Sequence, residues 1–226
     1  MQAVLNAWEM ERHHSAERHL FPEVVEALKR IKQEHPGVVI GAVTDGRANP
    51  LLMTFTLAPY FDFCMSWEDD QAGRTQFFQE LDGVDGRADL TWIYDAARHK
   101  YAIFKETKDA MNPRFEADAS RIQPLVFPDT YDDLVWIHVG DDLAFDVGGS
   151  SACGAKTVLV ELPPSYGQTA RFRFDPGMDQ PDWSTTTAEE LELRVRMNES
   201  AKDYVDETIN TIERLPIAIN DIVERV

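Results

Sequence analysis

The sequence predicts an α/β fold built on a parallel sheet, and three observations carry that prediction. An apolar run, Leu134 to Val139, ends in Gly140 and a cluster of carboxylates; small residues, Gly148 to Ala152, then lead into a second apolar run, Gly154 to Val160. Another strand-like run, Gly37 to Val43, ends in Thr44-Asp45-Gly46. Ahead of it, Phe21-Pro22-Glu23 opens a helix with Val24, Val25, Leu28 and Ile31 at helical spacing, stopped by His35-Pro36-Gly37. Strand runs that alternate with helical patterns and end abruptly in glycine and polar residues belong to a parallel sheet whose ligands meet the carboxyl ends of the strands.

The remaining elements follow in chain order. Met1 to Leu20 is polar and helix-prone, with Trp8 as its one large apolar anchor. His13, His14 and His19 have no carboxylate or cysteine partners at ligand spacing, so solvated histidines are expected rather than a metal site. After Arg47, an apolar helix or loop runs through Leu51, Leu52, Phe55 and Leu57 to Tyr60-Phe61-Asp62 and a short strand, Phe63 to Ser66. Residues 67 to 97, acidic and glycine-rich with Trp67 and Trp92, read as an insertion. Within it, Leu90 to Tyr94 is the only spare strand-like run. A second irregular stretch, 163 to 187, carries Arg171-Phe172-Arg173-Phe174, read as part of a short hairpin. Thr186 to Glu189 reads as a capping box for a helix with Leu191, Val195 and Val205 spaced for partial burial. Asp206 to Ile209, then Leu215-Pro216 to Val226, reads as a closing strand, turn and helix.

Composition bounds the function. The chain has 226 residues, 43% of them hydrophobic, enough for one large domain with a proper core. Lysine and arginine total 22 against 40 acidic residues, a formal charge of -18, so a nucleic-acid backbone would be repelled, and no basic patch offsets this. No window approaches a membrane-spanning length, and Met1 to Leu20 lacks the apolar core of a signal peptide, so a cytoplasmic protein is expected. Cys64 and Cys153 lie beside apolar elements and are expected to be buried and reduced.

The chemistry concentrates at two strand ends. Asp141, Asp142 and Asp146 crowd the first; carboxylates about 4 Å apart at an effective dielectric of about 20 repel by roughly 4 kcal/mol, so the cluster calls for a cation or a shifted pKa. Mg2+, hard and oxygen-seeking, is the natural occupant; a solvated acidic turn is the alternative. At the second end, Thr44 offers a hydroxyl, and Asp45 and Gly46 offer backbone N–H groups, a donor set suited to an anion.

The Gly140-Asp141-x-x-x-x-Asp146-Val147 spacing, with the small residues and strand that follow, resembles the fourth motif of the haloacid dehalogenase-like (HAD) hydrolase superfamily. Gly37 to Val43 followed by Thr44-Asp45-Gly46 resembles its second motif, and the two occur in the family's order. The resemblance runs from about residue 20 to the end, apart from the insertions at 67–97 and 163–187. It implies a Rossmann-like three-layer parallel sheet at 21–226, with 1–20 as the remnant of a helical cap. It further implies a small-molecule phosphate ester as substrate and Mg2+ as cofactor, held partly by Asp141, with Asp146 orienting the metal shell and Asp142 able to take either role. Thr44, Asp45, Gly46 and a lysine would bind phosphate. For that lysine, Lys100 in Ala96 to Phe104 is the candidate, with Arg98 and Lys105 as rivals and a surface lysine as the alternative reading; the family's usual Lys-Pro step is absent.

One departure is large. The family's nucleophile comes from a first motif, a hydrophobic strand followed by Asp-x-Asp, ahead of the second. Here the first aspartate is Asp45, and no Asp-x-Asp occurs in the 226 residues. The attacking carboxylate and its acid/base neighbour are both missing. The central strand that bears them in the family would be missing too, with Leu90 to Tyr94 as a possible replacement. A chain that starts inside a longer protein is the simplest expectation, and a framework inactive as written follows from it. Two alternatives stand beside it: a non-catalytic phosphate- or metal-binding protein, and a haloacid dehalogenase, whose chemistry needs no metal. Oligomeric state is open, since unpaired strand edges favour self-association.

Overall fold

The computed structural model describes residues 2–44, 49–66, 87–107, 134–168 and 187–226. The protein is a mixed α/β molecule with two small parallel sheets and helices. It divides into two compact units, Met1–Asp129 and Thr130–Val226.

In the first unit, α1 (Gln2–Arg18), α2 (Pro22–Glu34) and α3 (Arg87–Thr107) accompany β1 (Gly41–Val43) and β2 (Phe63–Met65). The strands pair in parallel, with Gly41 opposite Phe63 and Val43 opposite Met65. Pro22 starts α2, where its missing N–H costs nothing, and Gly37 follows it at φ 89°, a left-handed turn that a Cβ would strain. Leu28 of α2 packs with Met53 and Leu57. Asp62 then fixes how the strands start: its carboxylate meets Lys32 Nζ at 2.6 Å and accepts from Ile40 N at 2.8 Å, while its own N–H donates to Ile40 O at 2.7 Å.

Three expectations for this unit are corrected. Leu90 to Tyr94 lies inside α3, not in a strand. Ile93 joins a helical stripe in which Ile93, Ala97 and Tyr101 recur every fourth position against Phe63 and Met65, so packing overrides the strand-like composition. Residues 87–97 are also continuous with the helix that carries Lys100. Second, Trp8 is 52% exposed, with the Arg12 guanidinium over its ring, rather than a buried anchor. Third, His13 is not solvated: it is 6% exposed, and its Nε2 accepts the Asn49 N–H at 3.1 Å. Glu17 completes that attachment, its Oε1 accepting from Phe55 N, Thr56 N and Thr56 Oγ1. Polar side chains thus tie α1 to the turn at 49–56, the task expected of an apolar anchor.

In the second unit, β3 (Ile137–Gly140), β4 (Lys156–Val160) and β5 (Glu207–Ile209) form a parallel sheet in the order β3-β4-β5. Helices α4 (Ala188–Ala201) and α5 (Leu215–Arg225) flank it. Alternation along β4 builds two cores: Val158 packs with Ile209, Ala218 and Ile222, while Leu159 packs with Val147 and Ala201. Both faces of β4 are therefore covered. The closing strand, turn and helix fall where expected. The capping box is real but one residue later than expected: Glu190 N donates to Thr187 Oγ1 at 3.2 Å, and Thr187 N donates to Glu190 Oε2 at 2.7 Å.

No hydrogen-bonded ladder joins β1 or β2 to β3, β4 or β5 among the described residues. The α/β class and parallel pairing hold, and the described strands form two parallel sheets, of two and of three strands. Thr44 follows an end strand of one sheet and Asp141 an end strand of the other. Cys64 is buried and Cys153 partly exposed, and neither is in a disulfide. No described helix is long and apolar enough to cross a membrane. Residues 171–174 of the expected hairpin, and Trp67, lie outside the described residues.

Candidate functional site at two strand tips

The acidic strand tip in the second unit is built almost wholly from its own residues. Beyond Gly140 the chain turns into a π-helical segment, Leu143–Gly149, in which Val147 N donates to Asp142 O at 3.1 Å. Such wide turns concentrate at functional positions. Asp146 reaches back across the turn, its Oδ2 accepting from Asp141 N at 2.9 Å and Asp142 N at 3.0 Å, with His138 Nε2 3.3 Å from its Oδ1. Gly140 is required for this. A Cβ there would stand 2.2 Å from Asp146 Cγ, displacing a carboxylate held at both oxygens.

Asp142 caps the segment, its Oδ1 accepting from Phe145 N at 2.9 Å. Its Oδ2 receives the guanidinium of Arg194, which projects from α4, is 8% exposed and lies 4.0 Å from the centroid of the Phe145 ring. Asp141 differs from both neighbours. Burial pushes its pKa up; a hydrogen bond from the neutral Gln168 amide opposes that, and the charges of Asp146 and Asp142 add to it. Gln168 is itself placed by the end of β4, accepting from Leu162 N at 2.7 Å and donating to Val160 O at 2.5 Å.

Asp142 is committed to Arg194, and Asp146 to two backbone N–H groups and His138. Among the described residues no group of three carboxylate, imidazole or thiol ligands is placed to hold a metal. Mg2+ commonly takes only one or two carboxylates, with water and substrate oxygens completing its shell, and Asp141 is suited to be one of them.

In the first unit, Thr44 continues the β1 ladder, its N–H donating to Met65 O at 2.9 Å. Parallel register sets Thr44 beside Ser66, a buried hydroxyl at the tip of β2. Lys100 is not a surface lysine. It is 6% exposed and lies on the same α3 stripe as Ala96, Ala97 and Phe104, of which Ala96 and Ala97 pack on β2. A helical side chain leans toward the helix amino terminus. Since Phe104 and Tyr101 meet Phe63 at the start of β2, that direction is toward the strand tips. Arg98 is half-buried and Lys105 exposed, so Lys100 has the more enclosed charge of the three. Asp45 and Gly46 lie outside the described residues.

Sequence reasoning missed Arg194, Gln168, His138 and Ser66. For Ser66 a signal existed, since a hydroxyl closes the short strand after Tyr-Phe-Asp just as Thr44 closes β1. In comparisons with protein-family models, curated proteins and solved structures, nothing matches this chain.

Proposed function

We propose that the chain is a HAD-like phosphohydrolase framework of the Mg2+-dependent, small-molecule phosphatase kind, lacking the nucleophile and therefore unable to turn over as written. The observation that carries the reading is the acidic strand tip. Gly140, Asp142 and Asp146 are spent on holding the loop, while Asp141 accepts from the neutral Gln168 amide. In this reading Thr44 Oγ1 and Lys100 Nζ donate to oxygens of a phosphate ester, supported by a hydroxyl-bearing strand tip and an enclosed ammonium in one unit. Asp141, in the other unit, would be the carboxylate that holds Mg2+. Asp146 holds the two N–H groups of the Asp141-Asp142 turn and so fixes the Asp141 backbone.

A non-catalytic phosphate-binding protein is the second reading, favoured by the lack of any Asp-x-Asp pair in the sequence. Both readings predict binding without chemistry. Calorimetric titration of inorganic phosphate into the purified 226-residue chain should show saturable binding, weakened tenfold or more by Lys100→Met, which is about 1.4 kcal/mol or more. A generic phosphomonoester with Mg2+ should not be hydrolysed. Turnover abolished by Asp141→Asn would overturn the claim that the nucleophile is absent. Phosphate binding unaffected by Lys100→Met would overturn the assignment of the anion site.

A further inference from the structure

We propose that Arg194 is the built-in counter-cation of the acidic loop, occupying at Asp142 the electrostatic role a metal ion would otherwise fill. Nothing in the chain's motifs points to it; α4 is a helix rich in exposed glutamates, and Arg194 is its one buried charge. The guanidinium makes two contacts that belong together. It pairs with Asp142 Oδ2, and it stacks over Phe145, the residue whose N–H the other oxygen of Asp142 caps. One planar cation therefore fixes both the cap and the first turn of the π-helical segment. A lysine ammonium has the charge for the first contact but not the flat face for the second.

The consequence is a division among three carboxylates within six residues. Asp142 is neutralised by Arg194, Asp146 is tied to backbone N–H groups and His138, and Asp141 is held by the Gln168 amide and its own backbone N–H. Arg194 thus also makes the site selective, because a cation arriving at the loop finds one carboxylate rather than a three-acid cage. This last point rests on the reading of Asp141 given above; the pairing at Asp142 does not.

Thermal unfolding with MgCl2, against NaCl at matched ionic strength, tests it. Arg194→Met leaves Asp142 with no protein cation and should lower Tm by roughly 10 °C, the scale for breaking one side of an enclosed ion pair. Mg2+ should restore about 5 °C of that loss by binding the freed carboxylate, a response larger than the wild type shows. Arg194→Met/Asp142→Asn should recover most of the stability without Mg2+ and lose the enlarged response. Arg194→Met/Asp141→Asn should keep it, which separates this proposal from the Asp141 reading. An Arg194→Met response no larger than wild type, or a double variant with Asp142→Asn no more stable than the single, overturns the proposal. If Arg194→Met does not fold, the double variant with Asp142→Asn decides: its folding near the wild-type Tm supports the charge pairing, and its failure to fold refutes it.

Discussion

The two motif strands end in opposite ways. Beyond β3 the acidic loop is held by contacts within a few residues of one another, with Asp146 tying the N–H groups of Asp141 and Asp142, and Asp142 capping Phe145. Beyond β1, Thr44 is placed by a strand from farther along the chain, its N–H donating to Met65 O of β2. Local polar closure makes a loop rigid by itself, whereas a site gathered across a sheet depends on how well the sheet packs. The same residue type marks the contrast. Gly140 exists to admit a carboxylate, and Gly41 to admit the Phe63 ring, since a Cβ at either would stand 2.2 Å from the side chain it faces.

Substituting these glycines should therefore cost different amounts for different reasons. Gly140→Ala should be the most damaging, by about 3 kcal/mol or roughly 10 °C in Tm, because the Asp146 carboxylate must abandon two charge-assisted hydrogen bonds. Gly41→Ala should cost about 2 kcal/mol by overpacking. Thermal unfolding of Gly41→Ala/Phe63→Leu sharpens the contrast, since a smaller side chain should relieve the clash, and equal losses with and without it would break the comparison. Lys100→Met should change stability by no more than about 1 kcal/mol, because an apolar chain of similar length replaces an enclosed charge, while phosphate binding is lost.

The smallest effect has the opposite sign. Asp141 has a folded-state pKa raised above its unfolded value of about 3.9, so the ionised group opposes folding at neutral pH. That opposition fades as pH falls through the raised pKa, and it is gone below the unfolded value, where both states are protonated. Asp141→Asn should raise Tm at pH 7 by less than about 3 °C and leave it unchanged near pH 3. A fall in Tm at pH 7 would show that Asp141 holds the loop together, as Asp146 does.

What the sequence made legible follows the same division. Local patterns read true: Pro22 and Gly37 bound α2, the acidic loop turns where its glycine and aspartates stand, and the closing strand and helix lie where their apolar spacing set them. The capping box slipped by one residue because Thr186 and Thr187 stand together, each followed three positions later by a glutamate, and only geometry chooses between them. Tertiary partners were illegible. His13 looks solvated until Asn49 meets it, and Lys100 is one candidate beside Arg98 and Lys105 until burial sets it apart. Arg194 sits among glutamates in a segment that reads as a solvated face. Sheet continuity was equally out of reach, since apolar runs announce strands but not which strands share a ladder.

The central claim is that the Thr44 strand tip, with Lys100, binds phosphate. Calorimetric titration of inorganic phosphate tests it most directly, on the wild type, Thr44→Val, Lys100→Met and the pair together. The account predicts that each substitution weakens phosphate binding about tenfold or more and that the two together cost less than the sum of each alone. Phosphate affinity unchanged by either substitution would contradict it.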